Sequence, residues 1–201
     1  MNSIGPDASS ALRIATARLD LIAATATLAR ADASDQPRFG ALLQAEIPAS
    51  WPPGVLADVQ EYFADQLEKG FALPGWWSWY GLKRQAGEGP LQRSGQVLIG
   101  SGGFAGQPDS EGTVTLGYSI TPGFEGQGYA TEMVAGLLRW VAATGRVRRV
   151  HATTFERHAG SVRVLEKNGF ICRGVSSEDA GASDADRQGR GKLMLFVRGI
   201  A

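Results

Sequence analysis

The sequence predicts an α+β fold, and two patterns support that prediction. Runs of alternating or aromatic residues typical of strands recur from residue 76 onward, separated by short segments rich in Gly, Pro, Asp and Ser. After residue 128, apolar residues instead repeat with the spacing of an amphipathic helix. They are Ala130, Met133, Val134, Leu137, Leu138 and Val141. Strands joined mainly by turns, with helices packed against them, are typical of the α+β class.

The remaining elements follow in a definite order along the chain. The predicted strands are Thr16–Leu21, Trp76–Lys83, Gln96–Ala105, Thr113–Ile120, Val147–Phe155, Phe170–Val175 and Lys192–Val197. Predicted helices cover Gln36–Ala45, Leu56–Leu67, the segment after Gly128, and Ser161–Asn168. Asp35 is a suitable N-cap, and Gly70, Gly145 and Gly169 stand where a left-handed residue closes a helix.

Length and composition predict one domain. The chain has 201 residues, 43% of them apolar, which is enough to bury a substantial core, and no shift in composition marks a boundary. We therefore predict a single domain over residues 1–201. Residues 1–11 are expected to be frayed, and the polar segment 176–190 is expected to form an exposed loop.

The charge balance argues against two broad classes of partner. Lys and Arg number 20, as do Asp and Glu, so the formal net charge is zero. Such a chain has no extended positive field for nucleic acid or an anionic membrane, and any anion site must be local. No window approaches the roughly 20 apolar residues of a membrane span. With no signal-peptide core and a single cysteine, Cys172, we expect a cytoplasmic protein.

The turn between the Thr113–Ile120 strand and the following helix is predicted to bind an anion. The first turn of a helix leaves several backbone N–H groups unpaired, with the positive end of the helix dipole behind them. Gly126 and Gly128 carry no Cβ, so a bulky phosphate can approach the backbone closely. The order of strand, Gly-rich turn and helix therefore predicts a phosphate site.

Two well-known phosphate motifs do not fit this turn. A P-loop needs Lys followed by Ser or Thr at the helix start, whereas Gly128 is followed by Tyr129 and Ala130. A dinucleotide-binding turn needs an acidic residue about 20 positions further on, and that region is basic instead.

The turn resembles the pyrophosphate loop of the GNAT acetyltransferases, whose pattern is Gln/Arg-x-x-Gly-x-Gly/Ala. The segment Glu125–Ala130 matches this pattern except that Glu125 replaces Gln or Arg. A second segment, His158–Phe170, resembles the Asn-x-x-Ser-x-x-x-Leu-Glu-Lys-x-Gly-Phe segment of the Rim-type ribosomal-protein N-terminal acetyltransferases, with His158 in place of Asn. The two motifs lie at the family's spacing, and the resemblance extends from Thr16 to Val197.

This resemblance implies a GNAT fold, in which a mixed, mostly antiparallel sheet is flanked by helices. It also implies a V-shaped split between the two central strands, with acetyl-CoA bound in the V and no metal. The residues that would contact acetyl-CoA are Ser119, Ile120 and Thr121 along its pantetheine arm, Glu125, Gly126, Gln127, Gly128, Tyr129, Ala130 and Thr131 around its pyrophosphate, and His158 and Ser161 beside the arm.

The catalytic residues are less well specified by the resemblance. Ser161 is the candidate to protonate the departing thiolate, although Ser is also common at helix starts for capping alone. Relatives often carry a Glu base where this chain has Thr115, whose hydroxyl has no useful basicity and could at most hold a water. Glu111, His151 and Glu156 are the other candidates for the base.

Two classes of function remain open from the sequence. The first is an N-acetyltransferase that passes acetyl from acetyl-CoA to a primary amine by direct attack in a ternary complex. Its acceptor would be a small-molecule amine or a protein N-terminus, and both a monomer and a homodimer remain open. The alternative is a non-catalytic acyl-CoA-binding or regulatory domain, because Thr115, Glu125 and His158 depart from the family pattern.

Overall fold

The computed structural model describes residues 11–53, 60–85, 95–178 and 190–200. Within these ranges, the chain forms nine strands and five helices. The strands are β1 (Arg13–Ala15), β2 (Leu19–Ala23), β3 (Ala45–Glu46), β4 (Ser78–Lys83), β5 (Gln96–Phe104), β6 (Thr113–Ile120), β7 (Arg149–Phe155), β8 (Ile171–Val175) and β9 (Leu193–Gly199). The helices are α1 (Ala26–Ser34), α2 (Gln36–Leu43), α3 (Gln60–Glu68), α4 (Tyr129–Ala143) and α5 (Ala159–Lys167).

The strands form one mixed sheet in the order β1-β2-β4-β5-β6-β7-β9-β8, with β3 beside β5. Two pairs are parallel, β3 with β5 and β6 with β7, and the other pairs are antiparallel. The predicted mixed, mostly antiparallel sheet flanked by helices is therefore confirmed. No helix among the described residues combines the length and apolarity that a membrane crossing requires.

The sheet divides between β6 and β7. These two strands pair only over Thr113–Thr115, which lie beside Arg149–His151. Beyond Thr115, β6 continues along β5 while β7 continues along β9. A parallel pair that opens after three residues produces the V-shaped split, which confirms that prediction.

Helices cover the two faces of the sheet and enclose two cores. On one face, α4 presents the predicted apolar stripe, with Met133, Val134, Leu137 and Val141 fully buried. Burying each such side chain is worth roughly 1.5–3 kcal/mol, so this stripe fixes α4 firmly against the sheet. On the other face, α1, α2 and α3 enclose a second core around Leu28, Phe39 and other apolar residues.

The clustered tryptophans are divided between these two faces. Trp76 and Trp79 pack edge-on against Trp140 of α4, with ring centroids 5.0 and 5.2 Å apart. Trp77 contacts the aromatic rings of Tyr62 and Phe63 on the opposite face. Trp76 and Trp79 therefore belong to the α4 core.

The N-terminal region differs from the sequence prediction in two places. Residues Thr16–Leu21 do not form one strand, because the Thr16 hydroxyl and amide both donate to the Leu19 carbonyl and close a turn between β1 and β2. Helix α1 is absent from the prediction. It begins after Thr25, whose hydroxyl accepts a hydrogen bond from the Leu28 amide as an N-cap.

The other predicted elements agree with the structure to within a few residues. Asp35 caps α2 as predicted by accepting from the Arg38 amide, and α2 ends at Leu43 because Gln44 adopts a left-handed conformation. The predicted limits of β6 are exact. Some predictions lie outside the described residues: the frayed residues 1–10, the beginning of the second predicted helix at 54–59, and most of the exposed loop, 179–189.

Candidate active site

A cleft of about 320 Å³ opens where β6 and β7 diverge, between the end of β6, the start of α4 and helix α5. Ten of the twelve predicted cofactor contacts line it, and Gln127 and Thr121 do not. The lining residues are Tyr118, Ser119, Ile120, Phe124, Glu125, Gly126, Gly128, Tyr129, Ala130, Thr131, His158, Gly160, Ser161, Arg163, Val164 and Lys167.

The start of α4 has the features of an anion site. Gly128 is the N-cap with φ 83°, it provides no side-chain cap, and the first helical bond runs from the Glu132 amide to the Gly128 carbonyl. The amides of Tyr129, Ala130 and Thr131 precede that bond and so have no partner within the helix. These amides, at the positive end of a 15-residue helix, suit a pyrophosphate group.

The glycines keep this site open. Gly126 has φ 73°, and a Cβ added there would meet no protein atom within 4 Å, so the space beside it belongs to the cleft. A Cβ on Gly128 would instead face the Arg18 guanidinium at 3.5 Å. Both positions need the left-handed conformation that glycine adopts at no steric cost.

The backbone of β6 presents alternate residues to the split. The Thr121 amide donates to Ile99 and the Ala105 amide donates to the Thr115 carbonyl, so the odd-numbered residues of β6 bond to β5. In a strand, successive residues point their amide and carbonyl groups to opposite sides. The backbone groups of Tyr118 and Ile120 therefore point into the split. Of the three residues predicted along the pantetheine arm, Ile120 points its backbone amide and carbonyl into the split. The backbone groups of Ser119 and Thr121 face β5 instead.

Arg18 supports the turn from the β1–β2 connection, a role that the sequence did not indicate. Its Nη1 donates to the Gln127 carbonyl at 3.0 Å, its Nε donates to Glu132 at 2.7 Å, and its guanidinium lies 4.3 Å above the Tyr129 ring. These contacts span more than 100 residues of sequence. The sole signal was the position of Arg18 in the predicted Thr16–Leu21 strand, where the resemblance to the GNAT family begins.

Glu132 completes this support in the first turn of α4. Its carboxylate accepts hydrogen bonds from the Thr16 hydroxyl at 2.5 Å and the Arg18 amide at 2.6 Å. Burial opposes its ionisation, but these hydrogen bonds and the Arg18 guanidinium outweigh that cost and lower the pKa of Glu132 below its usual value. An ionised Glu132 therefore ties α4 to the β1–β2 connection.

Helix α5 forms the other wall of the cleft. His158 is its N-cap residue, Ser161 lies in its first turn, and Arg163 and Lys167 add positive charge along the lining. The buried Asn168 at its C-terminal end donates to the Thr131 carbonyl at 3.2 Å, which joins α5 to the first turn of α4.

The four candidate bases lie outside this cleft, and one of them, Glu156, directly follows β7. Thr115 is exposed and His151 half-buried, and they sit side by side in the last register pair before the strands separate. Glu111 precedes β6, and its carboxylate accepts from Arg149 at 2.7 Å. The structure thus brings Thr115 and His151 together at the apex of the V, and an ion pair holds Glu111 on the adjoining surface.

Comparison with known protein families accounts for this arrangement. A model of the acetyltransferase (GNAT) domain matches residues 25–171, well over half of the chain. The chain belongs to the GNAT acetyltransferase family. A relative, the uncharacterised N-acetyltransferase YjdG of Bacillus subtilis, is 29% identical over 133 residues, which cover 66% of this chain and 74% of the relative.

Solved structures share the GNAT fold at low sequence identity. The ribosomal L7/L12 α-N-protein acetyltransferase RimL in complex with coenzyme A matches with a TM-score of 0.59 at 19% identity, covering 94% of this chain and 98% of its own. The microcin C7 self-immunity acetyltransferase MccE in complex with acetyl-CoA and AMP matches with a TM-score of 0.57 at 15% identity, covering 92% and 93%. The predicted likeness to GNAT proteins, including the Rim type, is confirmed at the level of fold.

The first prediction tests the anion site with two matched glycine variants of this GNAT protein. Gly126 and Gly145 both have positive φ, and an added Cβ would contact no protein atom within 4 Å at either position. Each change to Ala should therefore lower the free energy of unfolding by roughly 1–2 kcal/mol through backbone strain, and the loss should be similar in the two variants. Of these two glycines, only Gly126 lines the cleft. Gly126→Ala should therefore also lose most of the coenzyme A-induced rise in melting temperature, whereas Gly145→Ala should keep it.

Differential scanning fluorimetry with and without coenzyme A measures both effects. At about 100 times its dissociation constant, the ligand should stabilise the wild type by about 2.7 kcal/mol. Equal ligand-induced shifts in all three proteins would refute the anion site.

The second prediction concerns the pH dependence of stability through Glu132. Because folding lowers the pKa of this group, its contribution is present above the unfolded value of about 4.3 and is lost as the pH falls through the folded value. Glu132→Gln should be about 1 kcal/mol less stable than the wild type near neutral pH. This loss of stability is small for a charged hydrogen-bonded group because Arg18 is half exposed to solvent. The difference should shrink below about pH 4.3.

Urea denaturation across this pH range provides the measurement, with Glu166→Gln, a change at an exposed position of α5, as the control. A difference that stays constant down to the lowest pH would show that the ionised carboxylate is not what stabilises the protein.

Proposed function

We propose that the protein transfers an acetyl group from acetyl-CoA to a primary amine by direct attack in a ternary complex. The observation that carries the proposal is the cleft at the β6–β7 split. It combines the free amides at the start of α4, the inward backbone of Ile120 and the hydroxyl of Ser161. Family membership supports the reaction class.

The residues of the cleft suit the chemical groups of coenzyme A. The amides of the first α4 turn would bind the pyrophosphate, and the cationic side chains of Arg163 and Lys167 would complement a further phosphate group. The amide and carbonyl of Ile120 would bond to the amide-containing pantetheine arm. His158 lines the cleft and would brace that arm through an imidazole N–H. Acetyl-CoA supplies the acetyl group as an activated thioester.

The chemical step needs a nucleophile, a polarised carbonyl and a protonated leaving group. The neutral amine attacks the thioester carbon, and an inward backbone N–H of β6 stabilises the oxygen that gains negative charge. The carbon–sulfur bond then breaks, and Ser161 supplies a proton to the thiolate. The excess amine proton passes to water, because Thr115 has no useful basicity, an ion pair holds Glu111, and His151 does not line the cleft.

The acceptor approaches from the face of β6 opposite α4. Val114 and Leu116 point into the α4 core, so Thr115 and Gly117 point to the other side, where both are exposed. A Cβ added at Gly117 would meet nothing within 4 Å, which leaves room beside the split. A protein α-amine and a small-molecule amine both fit an open approach.

We further propose that the chain acts as one cytoplasmic domain, as a monomer or a homodimer.

An acceptor screen tests the function directly. Purified protein is incubated with acetyl-CoA and a panel of peptides with free α-amines, amino acids, polyamines and aminoglycosides, and free thiol is measured. We expect thiol release above background with at least one class, and Gly145→Ala should match the wild type while Gly126→Ala is impaired. Tight coenzyme A binding without thiol release for any amine would favour the alternative, a non-catalytic acyl-CoA-binding domain.

The pH profile tests the absence of a protein base. The amine reacts only when neutral, and alkyl amines have pKa values near 10. We expect kcat/KM to rise from about pH 6 to about pH 9 with a slope near one on a logarithmic scale. Peptide α-amines, with pKa values near 8, should level off earlier than alkyl amines.

A plateau above about pH 6.5 for every acceptor would instead indicate a histidine base. In that case His151→Gln and His158→Asn identify which imidazole is responsible. If His151→Gln removed both the activity and the plateau, the proposal of no protein base would be wrong.

A further inference from the structure

The hydroxyl of Tyr118 is hydrogen-bonded to Ser161 in the wall of the cleft. The Tyr118 hydroxyl donates to the Ser161 backbone carbonyl at 3.1 Å, and its oxygen lies 2.9 Å from Ser161 Oγ, a contact in which either hydroxyl can be the donor. Both residues line the same cleft as the anion site. Ser161 is therefore connected to a second proton donor, which comes from the central strand 43 residues earlier in the chain.

The fold holds this pair in place from two directions. Tyr118 lies on the face of β6 that points toward α4 and α5, and its ring packs against the α4 core. Ser161 lies in the first turn of α5, which the Asn168 contact joins to α4. Burial raises the pKa of Tyr118, although the hydrogen bond to Ser161 works in the opposite direction, so the phenol keeps its proton through neutral pH.

Building on the proposed acetyl transfer, we propose that Tyr118 and Ser161 form a proton relay to the departing sulfur. As the carbon–sulfur bond breaks, the bonding pair goes to sulfur, and Ser161 Oγ gives its proton to that sulfur. Ser161 Oγ takes the Tyr118 proton in the same step. The products are a neutral thiol, an intact serine hydroxyl and a tyrosinate, so the negative charge passes from sulfur to the phenolate. Water returns a proton to Tyr118 before the next turnover.

The acidities of the groups explain why the relay needs a phenol. An ordinary thiol has a pKa of about 8.5 and a tyrosine about 10, and burial raises the pKa of Tyr118 further, so proton transfer from this phenol to a thiolate has a cost. An aliphatic hydroxyl is a much weaker acid than either, and an unassisted Ser161 would be left as a strongly basic alkoxide. Tyr118 thus acts through Ser161, as a positioning residue that also supplies the proton.

Tyr118→Phe removes the hydroxyl and keeps the ring that packs in the core. We expect this variant to lower kcat with acetyl-CoA by about 10- to 100-fold and to leave the dissociation constant of coenzyme A unchanged. Ser161→Ala should lower kcat at least as much, and the double variant should be no slower than Ser161→Ala, because the two residues act as a unit. Tyr62→Phe is the matched control, since Tyr62 is exposed on α3.

A change of leaving group distinguishes a relay role of Tyr118 from a merely structural one. The selenoester analogue of acetyl-CoA keeps every binding group but releases a selenolate, a far weaker base that needs no proton. If Tyr118 serves the relay, most of the defect of Tyr118→Phe should disappear with the selenoester. If the variant only disturbs the cleft, both donors should be slowed by the same factor.

The outcomes distinguish the relay from the proposed function. A wild-type rate in Tyr118→Phe, or an equal loss with both donors, would overturn the relay and leave acetyl transfer intact. A wild-type protein that transfers no acetyl group from either donor would refute the proposed function, and the relay with it.

Discussion

The structure depends on the point at which β6 leaves β7. Three register pairs hold the two strands together, and after Thr115 each strand turns to its other neighbour. Within a continuous sheet, the inward backbone groups of Tyr118 and Ile120 would be used by a neighbouring strand. The split leaves them available for a ligand, and it places the start of α4 at the mouth of the opening. The split thus adds backbone hydrogen-bonding groups to the polar side chains that line the cleft.

The support for this opening comes from distant parts of the chain. Arg18 and Thr16 in the β1–β2 connection hold the carboxylate of Glu132, and Arg18 also bonds to the turn at Gln127. Three glycines of the turn, Gly123, Gly126 and Gly128, have left-handed backbone, and the bond from Arg18 supports the turn from outside it. The geometry of the anion site is therefore linked to the folding of the N-terminal hairpin, although that hairpin does not line the cleft.

Local patterns in the sequence were enough to predict some of these features. The limits of β6 were exact because alternation ends at a Gly-rich turn, and the same segment predicts the anion site, which stays a prediction. Helix α1 was missed because its alanine-rich sequence has a weak apolar stripe, and its cap at Thr25 lies inside an apolar run. The contacts of Arg18 with Glu132 and of Tyr118 with Ser161 join segments far apart in sequence, so no local pattern could reveal them.

The side chains of β6 alternate between the two faces of the sheet, so the two sides of the site are formed by different residues of one strand. Val114, Leu116, Tyr118 and Ile120 direct their side chains to the α4 face, and beyond the paired segment the backbone groups of Tyr118 and Ile120 point into the split. Thr115, Gly117 and Ser119 bond to β5 and lie on the opposite face, from which we propose that the acceptor approaches. A substitution at Thr115 or Gly117 can therefore alter the acceptor side without disturbing the core or the donor site. This separation explains how the strand accommodates a threonine in place of a carboxylate while the cleft keeps its shape.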